Sequence, residues 1–83
     1  MYKIVFTESY DKKAVRFLRL HPDLKKQYEK TLELLEANPF HPSLRLHRLK
    51  GRLRKLHSVS INLVYRIVIE FIIQNDMIIP IDI

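Results

Sequence analysis

Apolar residues alternate from Ile61 to Ile73 without a gap: Ile61, Leu63, Tyr65, Ile67, Ile69, Phe71 and Ile73. A period of two is that of a strand, whose side chains point to opposite faces in turn, so one face is wholly apolar. The other face carries Asn62, Val64, Arg66, Val68, Glu70, Ile72 and Gln74. "QND", Gln74 to Asp76, reads as a turn. Met77, Ile79, Ile81 and Ile83 then alternate as a last strand. Pro80 points the other way, and because it has no N–H the pairing there is one-sided or bulged.

The first half has a different period. "YKIVF", Tyr2 to Phe6, is a short strand ended by Thr7, and Thr7 or Ser9 can cap a helix that starts there. Tyr10, Ala14, Phe17 and Leu18 lie on one side of that helix. "HPD" stops it and starts another, with Pro22 at a first-turn position where its missing N–H costs nothing. Leu24, Tyr28, Leu32 and Leu35 form the second stripe, and "ANPFHP" ends it. Phe17, Leu18, Tyr28, Leu32, Leu35 and Tyr65 are expected in the core. The stretch from His41 to Ser58, "HPSLRLHRLKGRLRKLHS", is ambiguous. Leu44 and Leu46 alternate as in a strand, whereas Leu49, Leu53 and Leu56 have helical spacing. Gly51, the one glycine of the chain, argues for a turn. The reading is an extended segment, a turn near Gly51 and a strand from about Leu53 to Ile61, with a basic amphipathic helix as the competing reading.

The predicted fold class is therefore α+β, ordered β-α-α-β-β-β, a helical hairpin packed on a small antiparallel sheet. The 83 residues form one domain, 1–83. There is no cysteine, hence no disulfide and no thiolate chemistry. No apolar run suits a signal peptide or a membrane span, so a cytoplasmic location without membrane contact is the default.

Charge changes the picture. Residues Met1 to Glu36 hold eight bases and six acids, whereas Ala37 to Ile69 hold seven bases and no acid. A one-signed surface repels itself and favours a polyanion. Arg48, Lys50, Arg52, Arg54 and Lys55 read as a patch that tracks phosphates, with His47 beside it. Arg66 lies on the polar side of the long strand and offers a planar, permanently charged fork to a phosphate. His57, and less strongly His47, are the candidate proton carriers. No metal-ligand spacing and no glycine-rich phosphate loop is present, so neither metal nor cofactor is expected.

"NPFHPSLRLH", "LHRLKGRL", "HS" and "YRIVIEF" together resemble the RelE/ParE superfamily of type II toxins over nearly the whole chain. The resemblance implies a strand, two helices and a short antiparallel sheet, and a toxin neutralised by a cognate acidic antitoxin. RelE-like members cut mRNA in the ribosomal A site without a metal, the 2′-hydroxyl attacking the adjacent phosphate. ParE-like members instead poison DNA gyrase without catalysis. A degenerate relative that only binds antitoxin or nucleic acid is a third reading. By the same resemblance Arg66 matches an arginine near the scissile phosphate, and Lys50 matches the lysine of the "LKG" turn. Lys55 and Ser60 depart from the pattern, where glycine and arginine are common. Ile83 ends the sequence before a "G-x-H-D-x-V-Y" tail whose His or Tyr acts in cleavage. The expectation is either a truncated reading or a form without that last group.

Overall fold

The computed structural model describes residues 1–72 and 75–83. The elements run in order: β1 (Lys3–Ile4), α1 (Glu8–Leu20), α2 (Lys25–Ala37), β2 (His47–Arg48), β3 (His57–Ser60), β4 (Arg66–Ile72) and β5 (Met77–Asp82). Short 3₁₀ turns at Pro22–Leu24, Pro42–Leu44 and Gly51–Leu53 join them.

Local chemistry sets the helix ends. The Thr7 hydroxyl accepts from the Tyr10 N–H at 3.1 Å and caps α1. Pro22 opens the turn between the helices, and His21, before it, leaves the helical region. Asn38 closes α2, and its side-chain oxygen accepts from the Phe40 N–H at 3.0 Å, so the chain turns sharply at Pro39. Tyr10, Phe17, Tyr28 and Leu35 are buried from the two helices, with Leu18, Leu24 and Leu32 packed partly against them. Thr31 is buried as well, its hydroxyl donating to the Gln27 carbonyl one turn back at 2.8 Å.

The sheet order is β1-β5-β4-β3-β2. β2/β3, β3/β4 and β4/β5 are antiparallel, and β1 joins β5 in parallel, with Lys3 opposite Met77 and Ile4 opposite Ile78. The sheet is thus mixed, because β1 reaches its neighbour only after the helical hairpin has crossed over. The helices cover one face, where Val59, Ile67, Ile69 and Ile78 are fully buried. Each such side chain contributes about 1.5–3 kcal/mol by leaving water.

The long alternating segment starts later than its pattern predicts. Ile61 to Tyr65 form a turn: the Asn62 side-chain oxygen accepts from the N–H groups of Val64 (2.9 Å) and Tyr65 (2.7 Å). Leu63 and Val64, on opposite sides of the expected strand, are instead 85% and 74% exposed at its tip. The strand proper begins at Arg66 with the expected register, Ile67 and Ile69 inward. Ile73 and Gln74 of the expected strand and turn lie outside the described residues. β3 likewise begins at His57 and not near Leu53, because residues 51–56 are used by the turn, with Arg54 N–H bonded to the Gly51 carbonyl and Leu56 N–H to the Leu53 carbonyl. Gly51 has a φ of +68°, which suits glycine.

β5 corrects the expectation for its faces. Ile78 and Pro80 face the core, while Met77, Ile79 and Ile81 are half-buried on the other side. Pairing decides this: Ile78 lies opposite Phe71 and Pro80 opposite Ile69, on the helix side of β4. The irregularity in register falls where Val68 pairs with Asp82 and Ile69 with Pro80, as a residue without an N–H requires. Among the described residues no helix is long and apolar enough to cross a membrane.

One polar pair lies in the core. The hydroxyls of Tyr10 and Tyr28 are 2.7 Å apart, and burial pushes both phenols above their ordinary pKa. Tyr10→Phe or Tyr28→Phe alone should each cost about 1–3 kcal/mol by leaving the partner hydroxyl unsatisfied, and the double substitution should cost less than the sum of the two. Urea unfolding of the four proteins measures this coupling. Ile67→Asp should abolish the cooperative transition, because it places an unpaired carboxylate in the core.

Candidate functional site

The face of the sheet away from the helices is built around Arg66. Ser60 is its partner across the β3/β4 ladder and Ser58 lies diagonally beside it, so the three side chains share that face. Arg66 Nε donates to the Ser58 hydroxyl at 2.8 Å, and Nη1 donates to the Ser60 hydroxyl at 2.7 Å. Nη2 donates to the Arg45 carbonyl at 2.8 Å and, more weakly, to the Ser58 carbonyl at 3.4 Å. Both serines are buried, 3% and 8% exposed, and half-buried Arg66 lies over them.

Every acceptor is neutral. Among the described residues no carboxylate lies within ion-pair distance of Arg66; the pairs present are Lys12–Glu8 and Lys13–Asp82, both on exposed side chains elsewhere. The guanidinium is therefore oriented by its neighbours while its charge stays unmatched. Its partial removal from water makes an incoming anion more favourable than at a fully solvated arginine. Backbone geometry helps to hold it: Arg45 adopts a left-handed conformation, φ +49° and ψ +51°, while presenting its carbonyl to Arg66. That conformation costs a non-glycine residue about 1–3 kcal/mol and is held here between buried Leu44 and half-buried Leu46. An open depression of about 330 Å³ lies beside the site, lined by Gln27, Ser43, Arg45, Ser60, Asn62 and Leu63 among others.

The basic patch is a hairpin. Leu49 N–H donates to the Leu56 carbonyl at 3.0 Å, and Arg48 Nε to the Arg54 carbonyl at 2.8 Å, which ties the loop across its base. Arg48, Lys50, Arg52, Arg54 and Lys55 are all exposed along it. It is neither an amphipathic helix nor a long strand but a 3₁₀ turn between two short strands.

The two histidines part company. Arg66 and His57 do not meet. His57 lies opposite Ile69, so it is on the helix side of the sheet, whereas Arg66 points to the other. His47 lies opposite Ser58 across the β2/β3 ladder, which places it on the face of Arg66. Sequence spacing could not rank the two, since the ranking depends on cross-strand register. His57 instead lines an apolar pocket of about 320 Å³ with Tyr2, Phe40, Leu46 and Phe71. Its Nδ1 is buried without a hydrogen-bond partner among the described residues. Burial, and then the nearby Arg48 and His47, hold its pKa below the ordinary histidine value. Sequence pattern does not pick out this pocket, because its five residues come from five separate places in the chain; the proline-bracketed "PFHP" is the one local signal, and it points to Phe40.

No family model matches the sequence, and no curated protein matches it either. Solved structures do match. The YoeB/ParE toxin from Agrobacterium tumefaciens superposes with a TM-score of 0.75 at 18% identity, over 96% of this chain and 93% of that one. A chain of the heterotetrameric YoeB–YefM toxin–antitoxin complex from Staphylococcus aureus gives 0.74 at 18% identity, over 99% and 93%. The H87Q mutant of YafQ from E. coli gives 0.74 at 15% identity, over 96% and 88%. The fold is that of the YoeB and YafQ toxins. The expected α+β class, a strand, two helices and then a small sheet, is the one observed, with one short strand more than expected, β2, and with β1 making the sheet mixed where an antiparallel one was expected.

Replacing Ser58 and Ser60 together by alanine should leave Arg66 without its two shortest side-chain restraints. The guanidinium should then exchange among rotamers, seen as loss of its distinct Nε–H resonance by NMR. For His57, the folded-state pKa is lowered, so its contribution to stability is present above the unfolded value of about 6.5 and is lost as pH falls through the folded value. Melting temperature should therefore drop from pH 7 to pH 5.5, and His57→Gln should flatten that part of the profile.

Proposed function

We propose that this chain is the toxin of a type II toxin–antitoxin pair, RelE-like in action, which binds RNA at the ribosome and cleaves mRNA. The observation that carries the reading is Arg66: an oriented, half-buried guanidinium with only neutral oxygens around it. A phosphodiester supplies the missing negative charge, and more of it as a pentacovalent phosphorane forms, so the interaction strengthens toward the transition state. The exposed cations of the 48–55 hairpin hold the neighbouring phosphates. His47 is the histidine that shares the face of Arg66, and it is the proton carrier in this reading; His57 is not. The antitoxin partner is an acidic protein whose carboxylates pair with Arg66 and the hairpin and so exclude nucleic acid. The S. aureus YoeB–YefM toxin–antitoxin complex, one chain of which has this fold, supports an antitoxin partner. The cytoplasm, where translation runs, is the location this reading requires.

Expression of the chain alone should arrest growth, and co-expression of its antitoxin should relieve the arrest. Translating ribosomes should yield discrete mRNA cuts while gyrase supercoiling continues. Inhibited supercoiling with intact mRNA would instead assign the ParE-like activity. Arg66→Ala and His47→Gln should each lower cleavage at least about 100-fold, the usual worth of charge stabilisation or of a positioned acid–base group. His57→Gln should leave the chemical step unchanged.

Neutralising Lys50, Arg52 and Arg54 to glutamine should weaken binding to RNA of any sequence. For every phosphate that the hairpin no longer neutralises, the logarithmic salt slope should fall by roughly 0.7. Stability should move by no more than about 0.5 kcal/mol, since these side chains are exposed. An unchanged salt slope would mean that the hairpin is solvated surface.

A further inference from the structure

We propose that Arg45 is a second phosphate-binding arginine: with the Asn62 side-chain amide it holds, in the depression beside Arg66, the RNA phosphate that Arg66 faces. The inference rests on the RNA-binding reading above and adds the groups that keep the phosphate in place.

Arg66 has too few donors left to do this alone. Its Nε donates to the Ser58 hydroxyl and Nη1 to the Ser60 hydroxyl, while Nη2 donates to the Arg45 and Ser58 carbonyls. Of the N–H groups that a guanidinium carries, this leaves a single one, on Nη1. Arg66 therefore brings charge and direction, but its fork is committed to the protein and a two-pronged grip on a phosphate is closed to it. Nη1 lies against Ser60, and Ser60 lines the depression. Further donors have to come from the other walls of that depression.

Two such groups are in place. Arg45 lines the depression and is exposed, and its guanidinium has no ion pair among the described residues. Its left-handed backbone, φ +49°, fixes how the residue leaves the chain, and its own carbonyl is bonded to Arg66, which ties the two arginines to one place. Asn62 is the second. Its Oδ1 takes the N–H groups of Val64 and Tyr65, so the oxygen faces the turn and Nδ2, which can only donate, is left over. Gln27 and Ser43 add polar lining, and no acid is among the lining residues. Donors from three segments around one open space, two of them on permanent cations, suit a tetrahedral anion whose oxygens point apart. A planar carboxylate meets only the donors near its own plane.

The test uses the full chain and a single-stranded 2′-O-methyl RNA hexamer, which cannot be cut because its 2′-hydroxyls are blocked. In the wild type, the Nε–H resonances of Arg45 and Arg66 should both move during titration and saturate together. Arg45→Gly removes the side chain, keeps the carbonyl that Arg66 uses and suits the left-handed backbone, so its melting temperature should hold or rise. It should weaken hexamer binding about 10- to 150-fold, the worth of a charged hydrogen bond. Arg45→Lys should recover part of that loss. Asn62→Asp keeps an oxygen for the turn but exchanges the donor for negative charge, and should weaken binding with the fold intact by circular dichroism. A hexamer with neutral methylphosphonate linkages should bind wild-type and Arg45→Gly protein alike. Equal affinity of wild type and Arg45→Gly for the charged hexamer, with the Lys50/Arg52/Arg54 variant impaired, would overturn the role of Arg45 and leave the RNA reading standing. If wild-type protein ignores the hexamer, both fall. Loss of binding in Arg45→Gly, with mRNA left intact on translating ribosomes, would support the phosphate site and remove the cleavage reading. Arg45 resonances that move with polyglutamate and not with the hexamer would assign the depression to an acidic protein and overturn the proposal.

Discussion

The register between β3 and β4 governs everything else in this molecule. Val59 faces Ile67 and Ser60 faces Arg66, so each step along the ladder alternates between core and site. Because the side-chain period of a strand is two, a slip of one residue would bury Arg66 and expose Ile67 and Ile69 together. The apolar side of β4 is thus what aims the guanidinium outward. Burial of three isoleucines, Ile67, Ile69 and Ile78, under the two helices supplies the energy that holds this register. The two serines then define the direction of Arg66 at little further cost, since hydroxyls on the neighbouring strand are already in place when the ladder forms.

The second constraint is electrostatic. Seven cations without an acid, from Ala37 to Ile69, gain nothing from one another. The fold tolerates them by placing five on an exposed hairpin and pinning Arg66 to neutral oxygens. None of this favours folding, and a stability argument alone gives no reason for it. The arrangement makes sense as a surface whose counter-charges arrive on a partner.

The two faces of the sheet differ in chemistry. One presents Arg66, His47 and the polar depression near Arg45; the other, at the margin of the helical layer, presents the aromatic pocket around His57. The β2/β3 hairpin lies at the edge between them and contributes a residue to each, His47 to the first and Arg48 to the second.

Much of this was legible in the chain. The helix period of Tyr10 to Leu35, the alternation of Ile67, Ile69 and Phe71, and the acid-free basic run pointed to the α+β class, the inward face of β4 and the cationic hairpin, because each is a local pattern imposed by 3.6- or 2-residue geometry or by plain charge count. Local pattern misled where side-chain hydrogen bonds cut it short: Asn62 turns the backbone at Ile61–Tyr65, so apolar Leu63 and Val64 end in water despite perfect alternation. The faces of β5 were likewise decided by pairing with β4 and not by its own spacing, since both of its sides are apolar. The placement of the histidines was beyond sequence altogether. His47 and His57 are ten residues apart on two strands, and which of them shares a face with Arg66 depends on how β2, β3 and β4 align, a fact fixed only when the core closes.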